Sequence, residues 1–181
     1  MSLIDDQKKF IRKRIRDIKL EIPYEIKRLR SAQLFQDLEQ LAIFNESKTV
    51  MLYWSMDDEV FTHDFILKWQ HTKQIILPSV DGSELRLKEF KGLTNMVPGS
   101  SFGILEPSGK DFAEFDKIEL IIVPGIAFDC ENNRMGRGKA YYDKLLKNSQ
   151  AYKIGVCFDF QVLPQIPVDE YDIKMDRVLA C

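Results

Sequence analysis

Cysteine and histidine are scarce in this chain. Its 181 residues hold three cysteines (Cys130, Cys157, Cys181) and two histidines (His63, His71), with no C-x-x-C pair. Zinc sites and disulfide frameworks need several such ligands or an even set of spaced thiols, so both are excluded. No Ser-His-Asp order is evident and no thiol has a base partner in view, which argues against covalent hydrolase chemistry. Long apolar runs are missing as well. The run Ile118 to Val123 is typical, far short of the ~20 residues that a membrane span requires. No apolar stretch follows the charged N-terminus, as a secretory leader would need. Neither sign of charge dominates: 26 Lys and Arg oppose 28 Asp and Glu, a net −2. A broad basic surface for nucleic acid is therefore absent. These absences predict a cytoplasmic protein without nucleic-acid or membrane partners, a monomer or small homo-oligomer.

What remains is a globular mixture, 45% hydrophobic and 30% charged, with enough apolar side chains for a core. At ~150 residues per domain the length suits one domain, spanning 1–181. Phe10, Ile11, Ile15, Ile18 and Ile22 recur at helical spacing near the N-terminus. Pro23 is suited to open a second helix, whose apolar face would be Leu29, Leu34, Phe35, Leu38, Leu41 and Ala42. The period then changes. Thr49 to Trp54 reads as a buried strand, Val60 to Trp69 as a helix, and Gln74 to Leu77 as a strand stopped by Pro78. Leu85 to Phe90 alternates with period two, as a half-exposed strand does. Lys91 to Phe115 is rich in Gly, Pro and Ser and reads as loop. Ile118 to Val123 is the strongest central strand. A helix over Gly138 to Leu146 and a strand over Lys153 to Phe158 follow. Strands alternating with helices predict an α/β fold: a three-layer domain with a mainly parallel central sheet flanked by helices, preceded by an N-terminal helical segment.

The densest chemical signal follows the central strand. Val123-Pro124-Gly125-Ile126-Ala127-Phe128-Asp129 leads to Arg134-Met135-Gly136-Arg137-Gly138-Lys139-Ala140-Tyr141-Tyr142-Asp143. Ligands of open α/β sheets bind beyond the carboxyl ends of strands, and a helix start offers unpaired N–H groups to an anion. Gly136 and Gly138 allow close approach of the backbone, while Arg134, Arg137 and Lys139 add positive charge. This is the composition of a polyphosphate cradle. The same residues would equally make a solvated basic turn, with Tyr141 and Tyr142 packing and Asp143 pairing with Lys139 or Lys147 at i,i+4. Two common nucleotide motifs are excluded. Asn133 and Ala140 break the G-x-x-x-x-G-K-[ST] pattern, and Tyr141 breaks G-x-G-x-x-G.

That run resembles the signature of the 5-formyltetrahydrofolate cyclo-ligase (5,10-methenyltetrahydrofolate synthetase) family, V-P-G-x-x-F-D followed by R-L-G-x-G-[GK]-G-Y-Y-D. Met135 stands in place of Leu, Ala140 in place of the last Gly, and Asn132 in a loop position often held by Gly. A positive φ at 140 would disfavour Ala, whereas a place inside a helical turn would favour it. Four more segments are similar to family motifs in order: Lys8-Lys9-Phe10-Ile11-Arg12, Trp54 to Val60, Phe102 to Pro107, and Asp172 to Val178.

The resemblance implies conversion of 5-formyltetrahydrofolate and ATP, with Mg²⁺, to 5,10-methenyltetrahydrofolate, ADP and phosphate. It implies ATP contacts from Lys8, Lys9 and Arg12, and from the run Arg134, Met135, Gly136, Arg137, Gly138, Lys139, Ala140, Tyr141 and Tyr142. Arg137 and Lys139 would stabilise the migrating phosphoryl group. Folate contacts are implied for Arg12, Trp54, Glu59, Arg137, Gly138, Lys139, Ala140 and Tyr141, and metal contacts for Asp143 and Asp172. Judged alone, Lys8 and Arg12 fit an exposed basic helix face, Asp172 an ordinary surface acid, and Trp54 a core residue. Glu106 and His63 read as packing or loop-ordering groups. Two other classes remain open at this point: a sugar-phosphate or CoA-ester enzyme on a related scaffold, and a non-catalytic nucleotide or folate binder.

Overall fold

The computed structural model describes residues 3–99 and 103–181; Phe102, part of one family-like segment, lies outside the described residues. Three helices lead the chain: α1 (Leu3–Glu21), α2 (Tyr24–Glu39) and α3 (Ala42–Glu46). Then come β1 (Thr49–Met51), α4 (His63–Trp69), β2 (Gln74–Asp81), β3 (Glu84–Glu89), β4 (Met96–Pro98) and β5 (Leu105–Pro107). The remainder is β6 (Leu120–Pro124), β7 (Ala127–Asp129), β8 (Arg134–Met135), α5 (Tyr141–Leu146), β9 (Tyr152–Cys157), β10 (Val162–Leu163) and β11 (Arg177–Ala180). The main sheet runs β11-β9-β6-β1-β2-β3. All its pairings are parallel except β2 with β3.

Alternation along the strands divides the core. Val50, Leu52, Ile75, Leu77, Leu120, Ile122, Ile154 and Val156 face one way and meet Leu34, Phe35 and Leu38 of α2, Phe44 of α3, and Phe65 and Ile66 of α4. Met51, Ile76, Ile121, Val123 and Cys157 face the other way and meet Phe128, Leu146 and Met175. A sheet buried on both faces reads as continuous apolar runs, which is why these strands stood out in the sequence. The predicted three-layer α/β architecture is the one observed.

Several boundaries differ from expectation. Pro78 does not stop β2, which continues to Asp81. The β1 ladder ends at Ile76, so from Pro78 onward β2 pairs only with β3, and a missing N–H on one side is tolerated. Within the predicted loop Lys91 to Phe115, β4 and β5 form an antiparallel hairpin. The predicted strand to Trp54 stops at Met51, and the predicted helix from Val60 starts only at His63. Side chains take over the intervening backbone groups: Thr62 Oγ1 donates to Tyr53 O at 2.6 Å, Thr62 N to Ser55 Oγ at 3.1 Å, and Phe61 N to Ser31 Oγ at 2.9 Å. Helix α5 begins at Tyr141 rather than Gly138, because Gly138 has φ +91° and Ala140 is left-handed at φ 54°. Asn132 is left-handed too, at φ 63°, a conformation Asn accepts more readily than Ala.

The inward face of α1 is not the expected apolar one. Phe10 is 68% exposed, whereas Lys8, Ile15 and Lys19 are buried. On α2, Leu29 is exposed as well. Lys8, Arg12, Ile15 and Lys19 are spaced 4, 3 and 4 apart, a single helix face. This face lies against the loop between β8 and α5, where Arg12 Nε donates to Gly136 O at 2.9 Å.

Candidate active site

A cleft, open to solvent, lies beyond the carboxyl ends of β1 and β6. Its walls are Tyr53, Trp54 and Glu59 after β1, Pro78 and Val80 of β2, Ile104 and Glu106 at the hairpin, and Arg134, Gly136, Arg137 and Lys139 to Asp143 of the glycine-spaced run. Trp54 stacks on His63, ring centroids 3.8 Å apart, and is 9% exposed. His63 Nε2 lies 3.1 Å from Ser55 O, so His63 is a packing residue that fixes the indole. Glu106 accepts from Ser79 Oγ at 3.0 Å and from Val80 N at 3.2 Å. It ties the hairpin to β2 and so forms one side of the cleft.

The cleft floor is built on buried, hydrogen-bonded groups. Arg134, with a side chain 3% exposed, donates from Nη2 to Asp143 Oδ1 at 2.8 Å. Gly136 closes over this guanidinium; a Cβ there would lie 2.9 Å from Nη1. Asp129 braces the loop below. It accepts from Glu131 N, Asn133 N, Asn133 Nδ2 and Ile166 N. These bonds outweigh the effect of burial, which alone would raise the Asp129 pKa, and hold it below the ordinary carboxylate range. Met135 is 1% exposed among Ala127 and Ile166, so only its backbone is available to a ligand. Two buried atoms in the floor, Arg134 Nε and the Tyr142 hydroxyl, have no protein partner among the described residues. Such groups are normally satisfied, and a bound molecule or water would do so. Burial, with Glu59 nearby, pushes the Tyr142 hydroxyl well above its ordinary range, so it is a donor at neutral pH.

At the rim, Arg137, Gly138, Lys139 and Ala140 are exposed. Lys139 has no protein partner among the described residues. Arg137 Nη2 donates to Asp58 Oδ1 at 2.6 Å and Glu59 Oε1 at 3.2 Å. Glu59 also accepts from Met56 N at 3.1 Å. Burial pushes the Glu59 carboxyl above its ordinary range against the pull of Arg137. Burial alone would raise Asp58 too, but Lys19 and Arg137 outweigh it and hold Asp58 low.

The N-terminal residues form a second cluster beside the rim. Gly138 faces the Arg12 guanidinium; a Cβ there would lie 3.5 Å from Cζ. Lys8 Nζ donates to Asp172 Oδ2 at 2.5 Å and Asp169 Oδ2 at 2.8 Å. Burial lowers the Lys8 pKa, but these two carboxylates outweigh it and raise the net value. Lys9 is exposed. The cleft is thus lined by Trp54, Glu59, Arg134, Gly136, Arg137, Lys139, Ala140, Tyr141, Tyr142 and Asp143. Arg12 and Gly138 adjoin it, while Lys8 and Asp172 meet one another. Sequence reasoning missed Lys19 and Asp58, although the 4-3-4 spacing on α1 was a usable signal.

No cluster of three metal-ligating side chains occurs among the described residues. Asp143 offers one oxygen beyond its bond to Arg134. Asp172 offers one beyond its contacts with Lys8 and Asp169 N. Magnesium is usually held by one or two carboxylates together with substrate phosphates and water, and these donors fit that pattern rather than a closed protein cage.

A sequence model of the 5-formyltetrahydrofolate cyclo-ligase family matches residues 4–181. The chain belongs to that family. A 5-formyltetrahydrofolate cyclo-ligase of Mus musculus is 34% identical over 153 residues, 75% of this chain and 74% of the mouse protein. The solved structure of Aquifex aeolicus 5,10-methenyltetrahydrofolate synthetase superposes with a TM-score of 0.85 at 34% identity, covering 96% of this chain and 89% of that one. The Mycoplasma pneumoniae synthetase, 24% identical, shares the fold at a TM-score of 0.77 over 95% of this chain and 97% of its own. The chain is an enzyme, a ligase of folate metabolism in an ATP-dependent family. These matches do not favour the sugar-phosphate, CoA-ester or non-catalytic readings. No helix among the described residues is long and apolar enough to cross a membrane.

Proposed function

We propose that the cleft holds 5-formyltetrahydrofolate with its pterin toward Glu59 and Trp54, and that ATP lies across the rim turn. One observation carries this reading. A glycine-spaced turn presents Lys139, exposed and without a protein partner among the described residues, to a cleft also lined by the largely buried carboxylate Glu59. The acid accepts hydrogen bonds from the pterin amino and ring N–H groups; the exposed cation faces phosphate.

The reaction follows from the weakness of a formamide oxygen as a leaving group. That oxygen attacks the γ-phosphorus, the bond to ADP breaks, and the oxygen becomes a phosphate ester. N10 then attacks the formyl carbon and loses its proton, and the C–O bond to phosphate breaks to leave the methenyl ring. Phosphoryl transfer of this kind depends on alignment and charge neutralisation. Arg137 and Lys139 stabilise the transferring group. Lys8, Lys9 and Arg12 flank the nucleotide from α1, and the backbone of Arg134 to Tyr142 shapes its seat. Arg12, Trp54 and the turn Arg137 to Tyr141 border the folate. The free oxygens of Asp143 and Asp172 are the donors for magnesium, which supplies neutralisation of phosphate charge. The fold acts as one domain, 1–181, in the cytoplasm.

The test is growth of methenyltetrahydrofolate absorbance on mixing the protein with 5-formyltetrahydrofolate, ATP and magnesium. Absorbance that grows only when all three are present is the expected result. No turnover with pure substrates contradicts the proposal.

A further inference from the structure

Lys19 is a buried cation on the inward face of α1, 2% exposed and outside the cleft itself. Its Nζ lies 3.5 Å from Asp58 Oδ2, and the other oxygen of Asp58 holds Arg137 at 2.6 Å. Arg137 also holds Glu59, at 3.2 Å through the same nitrogen. Two cations and two carboxylates therefore balance in a chain running from the helix to the cleft. A lysine is almost never this buried unless paired, and burial does press the Lys19 ammonium toward its neutral form, against the pull of Asp58 and Glu59.

Arg137 donates to the Glu59 oxygen that the pterin would use. Folate binding at Glu59 and phosphate stabilisation by Arg137 are thus competing uses of one ion pair. Arg137 must turn from the carboxylates toward the nucleotide. Without another cation, that movement would leave Asp58 and Glu59 adjacent, partly buried and uncompensated, an arrangement that favours protonation of one of them.

The geometry points to Lys19 as a positioning residue for the folate-binding carboxylate: it supplies the positive charge that stays beside Asp58 and offsets part of the Asp58–Glu59 repulsion when Arg137 leaves them for the nucleotide. The inference rests on the roles proposed above for Glu59 and Arg137. Lys19 touches neither substrate. It acts through Asp58, keeping Glu59 an acceptor and loosening the hold of Asp58 on Arg137.

The groups that bear on Glu59 are Lys19 from α1, Asp58 beside it, Arg137 from the rim, Tyr53 after β1 and Tyr142 from α5. The charges set opposite signs for two variants. Lys19→Met removes a cation, favours protonated Glu59, and moves the acid limb of kcat/KM for folate to higher pH. On that limb, folate kcat/KM falls on the order of tenfold, the effect of about one pH unit of displacement. Asp58→Asn removes an anion and moves the limb to lower pH. The double variant K19M/D58N restores the balance of charge and returns the limb toward the wild-type position.

The experiment is a pH profile of folate kcat/KM for these variants, with Glu59→Gln alongside and melting curves for each. Opposite displacements of K19M and D58N, cancelled in the double variant, are the expected result. If E59Q cripples folate use while K19M and D58N leave the limb in place, the assignment of Lys19 is overturned and the role of Glu59 stands. If E59Q itself leaves folate use intact, Glu59 is not the folate acceptor and both assignments fall. A K19M loss that tracks a lower melting temperature and is not rescued by D58N marks Lys19 as mere packing, which also overturns it. Should K19M not fold, the direction of the D58N displacement alone decides: a limb moved upward or unmoved contradicts the charge balance.

Discussion

Arg134 and Lys139 stand five positions apart in one motif and occupy opposite surroundings. Arg134 is sealed beneath Gly136, its charge spent on Asp143 and its guanidinium over the Tyr142 ring. Lys139 is exposed and unpartnered among the described residues. The first builds the cleft and the second is left for what enters it. A basic motif therefore mixes two roles that residue type does not separate; burial and partnership separate them.

The sharpest way to break this comparison is to remove the floor cation. Arg134→Ala strands a largely buried Asp143 and should cost about 3–5 kcal/mol of stability. Urea unfolding measures it, and an unchanged midpoint would show that the floor is not structural. At the rim the expectation reverses. Lys139→Ala should lower ATP-dependent turnover on the order of a hundredfold, with stability kept within about 0.5 kcal/mol. Steady-state kinetics and a melting curve test both halves; a stability loss like that of Arg134→Ala would erase the distinction.

Glu59→Gln then probes the inner end of the cleft. Loss of a charged acceptor should raise KM for 5-formyltetrahydrofolate by about tenfold to a hundredfold, while KM for ATP moves far less. Equal effects on both substrates would count against the assignment.

Ala140 gives a smaller, purely conformational contrast. Its φ of 54° strains any side chain with a Cβ, and Ala140→Gly should stabilise by about 0.5–1 kcal/mol after the extra freedom of Gly in the unfolded chain is counted. Calorimetry giving a lower melting temperature would contradict the strained backbone.

The smallest expected effect concerns pH. Glu59 is raised by burial, so the folded state holds that proton more tightly than the unfolded chain does. Its ionisation then costs stability as pH rises through the folded value. Glu59→Gln should melt higher than wild type at neutral pH by about a degree or two, and the gap should close on acidification. Asp58 has the opposite sign. Held low by Lys19 and Arg137, it adds stability above its unfolded value, and that stability is lost as pH falls through the folded value.

The central strands were legible because burial on both faces leaves an unbroken apolar record, as in Leu120 to Val123. The rim motif was legible because glycine and cation spacing is local. Other features depended on long-range pairing that no local pattern carries. Pro78 stays within β2 only because β1 has already ended there. The hairpin Met96–Pro98 with Leu105–Pro107 forms inside a stretch whose composition suggests loop. The buried side of α1 was misread because its long cationic side chains, not its isoleucines alone, are what the core of the site accepts. Lys19 and Asp58 meet across 39 positions, and only the fold brings them together.

The most direct measurement compares ADP release with methenyltetrahydrofolate formation in the same mixture, for the wild type and for Lys139→Ala. Equal molar amounts of the two products, both dependent on 5-formyltetrahydrofolate and both falling together in the variant, are predicted. ADP release that proceeds without the folate, or methenyl formation that proceeds without the nucleotide, would contradict transfer from the rim to a substrate in the cleft.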